Sequence, residues 1–238
     1  MRELIRDFVK ICVQNLSLVD PIYEFGSLQV PGQEGFADLR PLFPGRKYLG
    51  ADMRPGEGVD VILDLHDISL PPDTAGTVIS VDTLEHVEYP RKAMQEIRRI
   101  LKPDGVVMIS SVMAFPIHDY PNDYWRFTPS GFSSLLGEFP FSIVESAGVS
   151  SFPHTVVGVG FNVRPAEAVV AEFRNQLVSW KETWDNPIEF HTRIDSLDTA
   201  QALLAEREAR LEAVYNSWPW KLGALFKRCI HYLKRHLT

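Results

Sequence analysis

No G-x-G-x-x-G spacing follows the first predicted strand of this 238-residue chain, so nothing there brings a pyrophosphate to a helix N-terminus. That absence argues against NAD and FAD. Cysteine is scarce as well. The two that occur, Cys12 and Cys229, stand at opposite ends of the chain and form neither a disulfide framework nor a CxxC metal spacing. A reducing, cytoplasmic compartment is the expectation. No apolar run is long enough to span a bilayer. The first ten residues mix Arg2, Glu3, Arg6, Asp7 and Lys10 with apolar side chains, which is no signal peptide. Positive charge is also short overall: 24 Lys and Arg face 31 Asp and Glu, a formal net charge of -7. A dedicated nucleic-acid binder would be basic. The exception is the stretch from Ser217 to Thr238, which has five Lys or Arg and no acidic residue.

What is present is an α/β pattern long enough for one full core. Residues 1–20 read as an amphipathic N-terminal helix, with Leu4, Phe8, Ile11, Cys12 and Leu16 near one face. Residues 21–162 read as an α/β domain, 163–216 as a helical extension and 217–238 as a basic amphipathic tail. Inside the domain, strands are predicted at Ile22–Phe25, Tyr48–Asp52, Val59–Leu63 and Thr77–Val81. A helix is predicted from Pro90 to Leu101, with proline in its first turn and Arg98, Arg99 and Lys102 at its negative end. Lys102-Pro103-Asp104-Gly105 signals a turn and Val106–Ile109 a buried strand. Phe141–Ser146 and Thr155–Asn162 are close enough in sequence to form an antiparallel pair, closing an otherwise mostly parallel sheet.

Open sheets of this kind bind ligands at the carboxyl ends of their strands, where strand order reverses. Acidic groups stand at those ends: Glu24 before Gly26-Ser27, Asp52 after Gly50-Ala51, Asp64 before Leu65, and Asp82 before Thr83. Such groups suit a ligand rich in ribose hydroxyls and amines and free of phosphate, and S-adenosylmethionine is one. Gly26 lets backbone approach the ligand without a Cβ in the way. Asp52 can accept both ribose hydroxyls, and Asp64 and Leu65 can flank the adenine. Glu24, Gly26, Ser27, Asp52, Asp64, Leu65, Asp82 and Thr83 are the candidate cofactor residues. Each also has a plainer reading as a strand-end, turn or capping residue.

Four runs carry a resemblance: Tyr23–Ser27, Tyr48–Asp52, Asp82–Val87, and Glu96-Ile97-Arg98-Arg99-Ile100-Leu101-Lys102-Pro103-Asp104-Gly105, of which the last is the most specific. Together they resemble the Rossmann-like, class I S-adenosylmethionine-dependent methyltransferases of the branch called type 11, over residues 19–162. The resemblance implies that Glu24 and Gly26 hold the methionine part of the cofactor and Asp52 its ribose. One position departs from the family's E-x-G-x-G loop: Leu28 stands where the second glycine is usual.

The acceptor side is expected in the polar, aromatic segment after the fifth strand, Phe115 to Pro129. Methyl transfer gains most from alignment of the acceptor, and a hydroxyl acceptor needs a base within reach. His118 and His86 are the candidate bases, with Asp119 able to orient His118; each histidine also reads as a structural loop or turn residue. Tyr124 and Trp125 suit stacking on an acceptor or a lid over the cofactor. Asp123 and Arg126 suit acceptor contact or simply each other. His118, Asp119 and Asp123 offer donors of the kind magnesium accepts, but one loop does not define a site, and no metal is assigned. The run His118–Pro129 and the loop Gly26–Glu34 also resemble methyltransferases associated with bacterial surface-polysaccharide synthesis, which implies a glycan hydroxyl as acceptor.

From Leu197 to Tyr215 a charged amphipathic helix is predicted. The tail then sets Trp218 and Trp220 beside basic residues, a pattern for peripheral attachment to the inner face of a membrane. Packing on the domain or on a second copy of the chain is the plainer alternative. Two functions are therefore open: a methyltransferase acting on a saccharide or related small acceptor, or a non-catalytic scaffold of the same fold.

Overall fold

A computed structural model describes residues 2–29, 35, 37–118 and 122–185, which fall in one compact unit. Asp119, the charged helix predicted at 197–215 and the tail at 217–238 lie outside the described residues. The helices are α1 (Glu3–Asn15), α2 (Pro90–Ile100), α3 (Pro129–Leu135) and α4 (Glu167–Trp184). The strands are β1 (Ile22–Phe25), β2 (Tyr48–Asp52), β3 (Val61–Ile62), β4 (Ala75–Ser80), β5 (Leu101–Val112), β6 (Phe141–Val149) and β7 (Phe152–Phe161). They form one sheet in the order β3-β2-β1-β4-β5-β7-β6. β3, β2, β1, β4 and β5 run parallel, and β7 is antiparallel to both β5 and β6.

The central strands β1 and β4, and β5 from Gly105 on, are buried throughout because both faces of the sheet are covered there. Successive residues of β5 alternate between two cores: Val107 and Ile109 join the one beneath α2 and α3, while Val106 and Met108 join the one beneath α1 and α4. α2 supplies Ala93, Met94, Ile97 and Ile100 to the first core. α1 and α4 supply Ile5, Phe8, Phe173 and Trp180 to the second, and the Trp180 indole donates to the Leu4 carbonyl at 2.8 Å. The N-terminal helix and the first turns of the predicted helical extension thus pack on the same sheet.

Several boundaries differ from the sequence reading. β3 is only two residues long. β5 starts at Leu101, because the predicted turn lies inside a bulge: Ala75 pairs with Leu101, and Thr77 already pairs with Val106. α3 was not among the predicted elements. It forms because Thr128 caps it, accepting from the Gly131 N–H at 3.0 Å, and because Phe132 is fully buried against Phe127.

Strand order reverses between β1 and β4, since the chain builds outward to β3 and then returns to the other side of β1. The two strand ends meet at that switch point. The Thr83 hydroxyl, just after β4, lies 3.3 Å from the Phe25 carbonyl at the end of β1.

Candidate active site

A cavity of about 330 Å³ opens above the switch point. Its wall includes every cofactor residue named from the sequence: Glu24, Gly26, Ser27, Asp52, Asp64, Leu65, Asp82 and Thr83. His86 and His118 line it as well. The β-strand ends bring these positions together although they are spread over nearly a hundred residues.

Gly26 has φ +88, and a Cβ there would lie 2.2 Å from the Thr83 hydroxyl. The close approach of β1 to β4 therefore requires glycine. The buried Ser27 hydroxyl has no hydrogen-bond partner and lies against Gly50 on β2. Glu24 is buried, and its carboxyl is pushed up to about 7 by burial, partly offset by the Tyr48 hydroxyl that donates to it at 2.5 Å. Asp52 is 8% exposed; one of its oxygens accepts the Arg54 N–H at 2.9 Å. These features fit the amine, carboxylate and ribose of S-adenosylmethionine. Asp64 is engaged locally, accepting from the His66 N–H at 2.8 Å with the His66 ring nitrogen at 2.9 Å, while Leu65 is buried in the wall.

The loop after Gly26 does not make a glycine-rich turn. It runs back to the 56–58 segment, where Gln29 N–H donates to the Glu57 carbonyl at 3.0 Å. The Leu28 side chain covers Gly56, where a Cβ would meet it at 2.4 Å. Leu28 thus anchors the loop by packing where the family pattern would use a second glycine.

On the acceptor side, the rings of His86 and His118 stand 4.8 Å apart at 82°. His86 lies in the turn after β4, and its Nδ1 is 2.6 Å from the Asn122 carbonyl. Its imidazole pKa is lowered, chiefly by burial, which favours the neutral ring. His118 is held by Asp123, whose carboxylate accepts the His118 N–H at 2.8 Å and lies 3.2 Å from its Nδ1. Asp123 thus orients His118, while Asp119, foreseen in that role, lies outside the described residues. Arg126 donates to both Asp123 oxygens, at 2.5 and 2.7 Å, and holds that carboxyl well below the usual carboxylate range. Asp123, Tyr124, Trp125 and Arg126 do not line the cavity. The pairing of Asp123 with Arg126 is the plainer of the two sequence readings. Trp125 donates its indole N–H to the Val87 carbonyl at 3.0 Å, and Trp125 and Tyr124 remain 44% and 43% exposed.

Arg2, His66 and Glu85 are charged or titratable wall residues to which the sequence reading assigned no role. Arg2 reaches the cavity from the far N-terminus and donates to both Asp82 oxygens, at 3.0 and 2.7 Å. It also bonds the Thr155 hydroxyl and lies over the Phe115 ring. His66 projects from the loop after β3 and accepts the Tyr89 N–H at 3.2 Å. Glu85, quoted as part of a motif but given no role, is 1% exposed. Burial and the neighbouring Asp82 charge push its carboxyl up to about 7, against the Ser111 hydroxyl that donates to it at 2.6 Å. Asp82 itself has a left-handed backbone, φ 46, uncommon outside glycine and tolerated by aspartate at such sites.

Comparison with known proteins agrees with this geometry. Residues 49–109 match a family model described as a methyltransferase domain. Among solved structures, a SAM-dependent methyltransferase from Archaeoglobus fulgidus is similar at 14% identity, over 68% of this chain and 94% of that one, with a TM-score of 0.52. The 1,6-didemethyltoxoflavin-N1-methyltransferase of Burkholderia thailandensis, with bound 1,6-didemethyltoxoflavin and S-adenosylhomocysteine, is similar at 15% identity over 67% and 77% of the two chains, TM-score 0.50. No curated protein matches the sequence. The fold is the Rossmann-like methyltransferase fold. The segment 49–109 within it is the part that matches a methyltransferase domain.

Proposed function

We propose that the protein transfers the methyl group of S-adenosylmethionine to a hydroxyl of a saccharide or related small acceptor, in the synthesis of a surface glycan. The single observation that carries this reading is the division of one cavity into two chemistries. Glu24, Gly26, Ser27 and Asp52 form a side suited to the amino acid and ribose of the cofactor. Glu85, His86 and His118 form a side able to take a proton from an acceptor. The neutral form favoured at His86 agrees with that task. The exposed rings of Tyr89, Tyr124 and Trp125 offer flat apolar faces of the kind that cover a sugar ring. In this reading Asp52 accepts from the ribose hydroxyls, the Glu24 carboxyl and Gly26 meet the methionine end, and Leu65 packs on the base.

Two measurements test it. Calorimetry of the full chain with S-adenosylhomocysteine should give micromolar binding. Labelled methyl from S-adenosylmethionine should then pass to members of a saccharide panel as alkali-stable methyl ether. Label released by mild alkali, as from an ester, would overturn the hydroxyl acceptor. Absence of any cofactor binding would leave a non-catalytic scaffold, the reading that the Leu28 departure favours.

A further inference from the structure

We propose that Glu85, His86 and His118 bind a divalent first-row transition cation at the acceptor end of the cavity. One ligand atom from each of the three residues lies within 4.8 Å of those of the other two, the only such trio among the described residues. Hydrogen bonding settles which imidazole atoms remain available. A backbone carbonyl can only accept, so the Asn122 carbonyl, 2.6 Å from His86 Nδ1, requires a proton on that nitrogen. His118 Nδ1 is 3.2 Å from the Pro116 carbonyl and 3.2 Å from an Asp123 oxygen, both acceptors, and carries a proton for the same reason.

In the neutral rings this leaves a lone pair on Nε2 of each histidine. We take these two Nε2 lone pairs and a Glu85 carboxyl oxygen, which gives up any proton on binding, as the three ligand atoms. A histidine fixed through Nδ1–H to a carbonyl or carboxylate is the arrangement that presents Nε2 to a metal. Glu85 is backed in the same way by the Ser111 hydroxyl at 2.6 Å. Asp123, which sequence reading grouped with His118 as a donor, instead supports it from behind while paired with Arg126.

Two imidazoles and one carboxylate suit zinc, cobalt or iron better than magnesium, which prefers an all-oxygen shell. Donors around a four-coordinate ion at about 2.1 Å stand about 3.4 Å apart, so the trio must draw in by about 1.4 Å at its widest. In the proposal that closure comes from a shift of the segment carrying His118, after β5, with its Nδ1–H still held by Pro116 and Asp123. Three protein donors leave coordination positions open, and an acceptor hydroxyl bound there would lose its proton more readily. That catalytic use rests on the methyl-transfer reading; the binding does not.

Full-length protein stripped with a chelator should take up about one equivalent of cobalt(II), giving visible absorption bands of imidazole-carboxylate ligation. His86→Gln, His118→Gln and Glu85→Gln should each weaken cobalt binding at least tenfold, with native circular dichroism checking the fold. Because His118 lies on a loop, its variant keeps the test decisive if the buried ones fail to fold. Lack of saturable cobalt binding overturns the proposal, as does unchanged affinity in His118→Gln. S-adenosylhomocysteine titrated into the same wild-type sample separates the two readings. Nucleoside binding without cobalt binding removes the metal site alone; cobalt binding without nucleoside binding supports the site and removes only its use in methyl transfer.

Discussion

The Tyr48 hydroxyl donates to the Glu24 carboxylate at 2.5 Å, joining the first two strands beneath the cavity floor. Burial raises the Glu24 carboxyl to about 7 from its ordinary 4.5 despite this bond. The native state therefore keeps a proton that the unfolded chain has released. Stability should fall as pH rises from about 4.5 to about 7, with the loss complete above that range. Glu24→Gln removes the Glu24 share of the slope and leaves that of Glu85, whose carboxyl is raised likewise. Its stability relative to wild type should grow across this interval by about 2–3 kcal/mol, measured by urea unfolding at several pH values. The same variant should weaken S-adenosylhomocysteine binding at least tenfold. A stabilised variant with intact affinity would mean Glu24 is a framework residue only.

Arg2 and Asp82 behave in the opposite sense. Burial alone would raise the Asp82 carboxyl, but the charge and hydrogen bonds of Arg2 hold it below the usual value. Their contribution is present above the ordinary carboxylate range and lost as pH falls through the depressed value. Arg2→Gln should cost about 1–3 kcal/mol near neutrality. That difference should shrink in acid, where Asp82 is protonated in both proteins. A pH-independent difference in urea midpoints would assign the loss to packing against Phe115 instead.

Gly26 and Thr83 test the switch point. Gly26→Ala sets a methyl against the Thr83 hydroxyl and strains a backbone at φ +88. It should lower stability by about 1–3 kcal/mol and sharply weaken nucleoside binding. Adding Thr83→Ala removes the clash but not the backbone strain, so the double variant should recover part of the stability. Strict additivity in the cycle would show that the two strand ends do not communicate through this contact.

Helix α2 was legible because proline opens it, arginines close it, and its apolar positions keep helical spacing. The sheet was legible where both of its faces are covered, as in the apolar run Val106–Ile109 of β5. α3 was not: Pro-Ser-Gly-Phe-Ser-Ser-Leu has weak helix propensity and depends on the Thr128 cap and the burial of Phe132. The start of β5 was masked by turn residues that belong to a bulge. At the site, strand-end acids declared themselves by their position after apolar runs. Arg2 did not, because its partner is eighty residues away. Glu85 did not, because an acid in a polar turn reads as exposed until the packing of β5 buries it.

The tail from Ser217 to Thr238 carries the last prediction. Its five Lys or Arg without acidic neighbours, and its two Trp residues, give it both parts of an interfacial anchor. Basic residues near an anionic surface contribute about 1 kcal/mol each, and indoles favour the headgroup boundary. The full chain should float with liposomes containing anionic lipid and much less with neutral ones. Raised salt should release much of it, because screening acts on the charges and leaves the indoles. Removing residues 217–238 should abolish flotation while S-adenosylhomocysteine binding persists, since Asp52 and Gly26 lie in a unit that is compact without the tail. Equal flotation of both forms would exclude the tail as the anchor, and flotation indifferent to salt and lipid charge would exclude the electrostatic part.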